Sequence, residues 1–222
     1  MSDKKLSVAA AKKPGAATTN KTKSSLVKVV VLEDIGNWMS PASGERFFIT
    51  AEPSLPTIVF QVETKERGPY KWKWVVQWEA RVSGLREKPR GAVVQKFSAS
   101  GTAETSEARW TADFAGKILG GLLTVELWTA SERFERSVYV LGKNPTAEDV
   151  QAFAAKIPDI KGFDKLLEQE THVKHFIDLD GEPIVAFDKG YGLTQITNPS
   201  PSFEQVWNWK ENLKVGSSLY AK

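Results

Sequence analysis

A chain of 222 residues with 41% hydrophobic content has room for one large or two small domains, and it contains no run of about 18 apolar residues of the kind that spans a membrane. It has no cysteine, which excludes disulfides, thiolate metal sites and cysteine nucleophiles. The net charge of +3 resides at the N-terminus: residues 1–25 carry six Lys against Asp3, and taking that +5 away leaves −2, which is not the basic body a nucleic-acid binder needs.

Residues 1–25, MSDKKLSVAAAKKPGAATTNKTKSS, read as a disordered, solubilising leader of Ala, Lys, Thr and Ser. They contain no apolar core of secretory-signal length, so synthesis in the cytoplasm without export by the general route is expected.

From 26 to 142 the pattern is strand after strand. VKVVVL (27–32), RFFITA (46–51) and TIVFQVE (57–63) are rich in β-branched and aromatic residues. YKWKWVVQWEARV (70–82) alternates over thirteen residues: Tyr70, Trp72, Trp74, Val76, Trp78, Ala80 and Val82 on one side, mostly Lys, Gln, Glu and Arg on the other. Such alternation predicts one buried and one wet face, and makes the tryptophans core and not a sugar-stacking platform. GAVVQKFSASG (91–101), EARWTADF (107–114), GLLTVELWTA (121–130) and RFERSVYVLG (133–142) follow at a spacing that predicts an antiparallel, immunoglobulin-like β-sandwich.

The period changes after residue 142. Thr146, with Asp149 three residues on, predicts a helix start, and TAEDVQAFAAKI runs to Pro158. KGFDKLLEQETHVKHF predicts a second helix over 161–176. EQVWNWKENLKVGSSLYAK predicts a helical pattern to the end. The fold class expected is therefore α+β multidomain, with a leader (1–25), a sandwich (26–142) and a helical segment (143–222).

On the second helix, steps of three and four from Phe163, Leu166 and Leu167 lead to Glu170. A carboxyl on a face that should be buried has its pKa raised, as a general acid at neutral pH requires. His172 and His175 have a spacing that suits a metal, but they are the chain's only histidines and no specific third ligand accompanies them, so no metal and no cofactor are expected. A surface or loop-contacting role is left to them.

Three elements now stand in order: "LLEQETHVKHF", then "GYGLTQITNPSP", then "VWNWKENLKVGSSLYAK". Over residues 150–222 this succession resembles the lysozyme-like fold of soluble lytic transglycosylases. In that family a helix ends in Glu-Ser, a G-L-M-Q loop follows, and a later helix carries Asn, Gly and Tyr at spacings of four. Gly192, Leu193, Thr194 and Gln195 match the loop; Asn212, Gly216 and Tyr220 match the helix. Thr171 stands in place of Ser and keeps its hydroxyl; Thr194 stands in place of Met.

The resemblance implies that Glu170 is the catalytic acid/base. Gln195 would line the sugar cleft, with Tyr191 and Asn198 beside it. The substrate-binding set implied is Thr171, Tyr191, Gly192, Leu193, Gln195, Asn198, Asn212 and Tyr220. The family continues through further helices beyond the position of Tyr220, so a partial domain is expected. The implied activity is cleavage of peptidoglycan glycan strands, of lytic transglycosylase or muramidase type, with the sandwich as a targeting module. Single-Glu chemistry is favoured over a second carboxylate, because Asp178, Asp180, Glu182 and Asp188 read as a solvated acidic turn. The expected partners are glycan strands, a phage or secretion-system component and an immunity protein, with action in the periplasm or cell wall after non-classical delivery. The alternative is a non-catalytic binding or structural module of a phage or secretion-system particle.

Overall fold

The computed structural model describes residues 34–83, 91–157 and 162–221, so the expected leader and the strand at 27–32 lie outside the described residues. Strands come first in the chain: β1 (Trp38–Ser40), β2 (Arg46–Ile49), β3 (Val59–Val62), β4 (Tyr70–Arg81), β5 (Val93–Thr105), β6 (Arg109–Thr111), β7 (Gly121–Trp128) and β8 (Arg133–Gly142). Helices follow: α1 (Ala147–Ala154), α2 (Phe163–Thr171), α3 (Phe203–Trp207) and α4 (Trp209–Tyr220).

The strands form two sheets, β1-β3-β6 and β2-β8-β7-β4-β5. The pairings are antiparallel except β2–β8, which is parallel in the register Arg46↔Tyr139. β4 behaves as its alternation requires. Tyr70, Trp72, Trp74, Val76, Trp78 and Ala80 are buried, while Lys71, Lys73 and Gln77 are exposed. Trp72 stacks on Trp110 of the other sheet at 6.3 Å, and Trp110 stacks in turn on Phe60, its neighbour within that sheet, at 5.9 Å. Each buried ring removes roughly 150–250 Å² from water, enough for a sandwich core without a disulfide. Opposite Trp74 stands Gly101, where a Cβ would fall 2.5 Å from the indole, so the ring lies directly over the glycine.

The helical, lysozyme-like C-terminal segment is not what the chain forms. Strand accounts for 36% and helix for 19% of the structure, which makes the protein mainly β. α1 starts as the spacing predicted, with a reciprocal Thr146–Asp149 capping box. α2, however, stops at Thr171 and not at 176: His172 (φ 52°) and Val173 (φ 59°) turn left-handed, with their N–H groups donating back to Glu168 and Leu167 carbonyls. From 172 to 201 the chain runs in turns and isolated bridges, Phe176↔Pro183, Val185↔Tyr191 and Tyr191↔Ile196.

The physical reason is where the aromatics go. Phe176, Tyr191 and Trp207 are buried in the same core as the sandwich. Trp207 packs edge-on against Trp78 at 5.4 Å, and Tyr191 against Phe97 at 5.7 Å. Trp209 Nε1 donates to Ala51 O at 2.7 Å, and Val185 N donates to Ser83 Oγ at 2.8 Å. The segment thus completes the sheet's core. Among the described residues, Val150, Phe163, Leu167, Leu193, Trp209 and Leu213 form a small cluster of their own.

Candidate functional site

The site grows from the end of α2. Thr171, the last helical residue, is buried, and its Oγ1 donates to Leu193 O at 3.1 Å. That bond ties the helix end to the turn Gly192–Gln195. The turn needs a left-handed residue at Gly192 (φ 67°), and a Cβ there would fall 2.4 Å from His175 Cε1. Leu193 N donates to His175 Nδ1 at 3.0 Å, while His175 Nε2 lies 2.8 Å from Val206 O. Since Nδ1 accepts, Nε2 carries the proton and donates. Burial pushes the imidazole pKa down to about 4, so the ring is neutral.

α4 clamps the other side of the turn. Asn212 is fully buried; its Oδ1 accepts from Thr194 N (3.0 Å) and Thr194 Oγ1 (2.9 Å), and its Nδ2 donates to Tyr191 O (3.0 Å). Gln195, itself left-handed (φ 50°), turns its Nε2 back onto Gly192 O at 2.6 Å. Tyr191 is buried and donates to Gln95 Oε1 at 3.0 Å, and desolvation pushes its phenol up to about 12.

Beside this knot lies a cleft of about 480 Å³, lined by Glu170, His172, Lys174, Ile177, Asp178 and Ile184 among others. Its volume is in the range of small-ligand sites. Glu170 is half-buried in the wall. Lys174 forms an ion pair with Asp178. Asn144 Nδ2 donates to Asp178 Oδ1 at 2.8 Å. The hydrogen bond from Lys174, then that from Asn144, holds the Asp178 carboxyl below its usual range. Asn144 also accepts from the N–H groups of His175 (2.9 Å) and Phe176 (2.8 Å), and so fixes the strand of chain that forms the cleft floor.

The structure therefore gathers Thr171, Tyr191, Gly192, Leu193, Gln195 and Asn212 around one turn and puts Glu170 in the wall of the cleft beside it. It gives them unequal parts. Tyr191, Leu193 and Asn212 are inside the protein and hold the turn, with no surface left for a ligand. Gln195, expected on the cleft, points into its own turn. Asn198 is exposed and does not line the cleft. Tyr220 is 47% exposed and its ring lies on Phe163 at 5.5 Å, at the opposite end of α2 from Glu170. Sequence reasoning passed over Asn144. Its place between Lys143 and Pro145, just before a helix cap, marks a fixed turn but not the bonds made across 31 to 34 residues.

Among the described residues no helix is long and apolar enough to cross a membrane. No protein-family model and no curated protein matches the chain. Together with the mainly β architecture, this overturns the resemblance to the lysozyme-like lytic transglycosylases. The matched residues form a local knot on a sandwich, without the helical body that the resemblance implied.

Proposed function

We propose that the cleft beside α2 cleaves glycan strands of peptidoglycan, with Glu170 as acid/base. The observation that supports this reading is a single one: Glu170 is half-buried in the wall of a cleft of about 480 Å³. Glycosidic cleavage needs a proton delivered to the leaving oxygen by a positioned carboxylic acid. The peptide carboxylates of peptidoglycan are suited to the Lys174 ammonium and the His172 imidazole on the same cleft.

The other carboxylate of the cleft, Asp178, already accepts from Lys174 and Asn144. This favours one-carboxyl chemistry. Glu170 gives its proton to the glycosidic oxygen as the C1–O bond breaks. The resulting carboxylate takes the proton from the sugar's own 6-hydroxyl as that oxygen bonds to C1. An anhydro sugar forms and no water is consumed. The sandwich serves to hold the cleft against the glycan strands, and the site of action is the periplasm or cell wall.

The second reading, a non-catalytic binding module, is favoured by the burial of Tyr191, Leu193 and Asn212, which leaves few side chains to grip a sugar chain. Turbidity loss of purified peptidoglycan separates the two. The catalytic reading expects activity in the wild type, at least about 100-fold less in Glu170→Gln, and product masses of anhydro ends. Binding without any turbidity loss, or equal rates in both proteins, assigns the cleft to the binding module.

A further inference from the structure

β5 lies at one end of the five-stranded sheet, and β4 is its only strand neighbour among the described residues. It is the longest strand of the sheet at 13 residues. An edge of this length offers a row of backbone donors and acceptors to any matching strand. Natural edges are blunted by proline, by bulges or by charges turned inward; between Lys96 and Glu104, β5 has none of these. Its faces alternate. Lys96, Ser98, Ser100, Thr102 and Glu104 are exposed, while Phe97, Ala99, Gly101 and Ala103 face the core.

We propose that this edge is occupied by β5 of a second copy of the chain, paired antiparallel about a two-fold axis at Ser100. In that register Ser100 faces Ser100, Ser98 faces Thr102, and Lys96 of each copy faces Glu104 of the other. On the inner face Phe97 meets Ala103 and Ala99 meets Gly101, large against small. Outward residues meet outward residues, so the two apolar faces become continuous. An axis between two residues would set inward against outward positions. Moving the axis to Ala99 or Gly101 keeps the faces but sets Lys96 opposite Thr102 or Ser106, and leaves both charges without their partners.

The charges choose the same register from further back in the sheet. Within one copy Lys96 stands opposite Glu79 on β4, with Nζ 2.8 Å from Oε1, and Glu104 stands opposite Lys71. Pairing about Ser100 extends these into one row across the dimer: Glu79, Lys96, then Glu104 and Lys71 of the second copy, alternating in sign throughout. Opposite charges facing each other across strands stabilise a pair, and like charges destabilise it. The interface is isologous and closes at two copies. It involves none of the cleft residues, so it stands independently of the proposed activity.

The chain contains no cysteine, which makes the register directly readable. Light scattering over a concentration series is expected to show a monomer–dimer equilibrium. Lys96→Glu, which sets like charges together twice, is expected to raise the dimer Kd about 10-fold or more. Inverting the whole row, Lys71→Glu, Glu79→Lys, Lys96→Glu and Glu104→Lys together, restores the alternation and is expected to restore the dimer, with unchanged circular dichroism throughout. Ser100→Cys is expected to crosslink to itself on mild oxidation and Ser98→Cys to remain uncrosslinked. A wild type that stays monomeric at all concentrations overturns the proposal. So does association indifferent to the charge reversal, or equal crosslinking at 98 and 100, or occupancy of the edge by a different partner with no self-association.

Discussion

Leu193 N donates to Nδ1 of His175 at 3.0 Å, and the imidazole that accepts this bond is fully buried, with its other nitrogen on Val206 O at 2.8 Å. One neutral ring thus joins the turn at 192–195 to the start of the last helical pair. Protonation would replace the lone pair facing Leu193 N–H with a second donor, so the knot exists only with the ring neutral.

A pH dependence follows, and its sign is set by the lowered pKa. His175 titrates at about 4 in the folded state against about 6.5 unfolded, so between these values the unfolded chain binds more protons. Stability contributed by the neutral ring is full above about 6.5, falls as pH drops toward 4, and levels below it. The loss is about 3 kcal/mol. Urea midpoints at pH 7 and pH 4.5 measure it, and His175→Gln is expected to flatten the slope across this interval. A parallel decline in both proteins would place the proton uptake elsewhere.

Thr171 tests the link between helix and turn. Thr171→Val keeps the shape and removes the hydroxyl that donates to Leu193 O, which leaves a buried carbonyl short of a partner and costs about 1–3 kcal/mol. Thr171→Ser is expected to retain the bond and most of the stability. Thermal unfolding of the pair reads the difference. In the proposed reaction Thr171 is a positioning residue: Thr171→Val lowers kcat while Thr171→Ser recovers it.

The packing of Trp207 on Trp78 predicts one unfolding transition and not two. Trp207 is fully buried, and truncation to Ala removes about 3–5 kcal/mol. Because the ring belongs to the sandwich core, the loss is expected to lower the midpoint seen by far-UV circular dichroism and by tryptophan fluorescence together. Separate midpoints for the two probes would mean that the C-terminal third unfolds by itself.

Gly101 offers a test within the sandwich. A methyl group placed there falls 2.5 Å from the Trp74 ring, so Gly101→Ala forces the indole to move within a packed core. The expected cost is about 1–3 kcal/mol. The same substitution at Gly91, where no atom lies within 4 Å of the added group, meets no such clash. Gly91 has a positive φ of 102°, so its own penalty is one of backbone strain and is expected without any change in near-UV signal from Trp74.

Alternation and caps were legible without the fold. The side-chain period of β4 alone says which tryptophans are core, and the Thr146–Asp149 spacing alone marks the start of α1, because both are decided by residues a few positions apart. β1 was not legible: three residues pairing with β3 through an irregular register leave too short a pattern. The parallel pairing of β2 with β8 was hidden for a different reason, since the direction of a partner some ninety residues away leaves no local trace.

In the site, sequence alone placed Gly192 in a loop and Glu170 on the apolar face of a helix. Only the tertiary structure decided that Leu193, Tyr191 and Asn212 are internal braces, that α2 ends five residues before Phe176, and that the aromatics after it enter the sandwich core. The helix expected over 161–176 ends on Phe176. Phe176 instead had a larger apolar surface to join, against Trp207 at 6.0 Å and over Gly142, and burying it there outweighed continuing the helix. Local pattern decides which residues must be buried; which core buries them depends on surfaces that form only when distant segments meet.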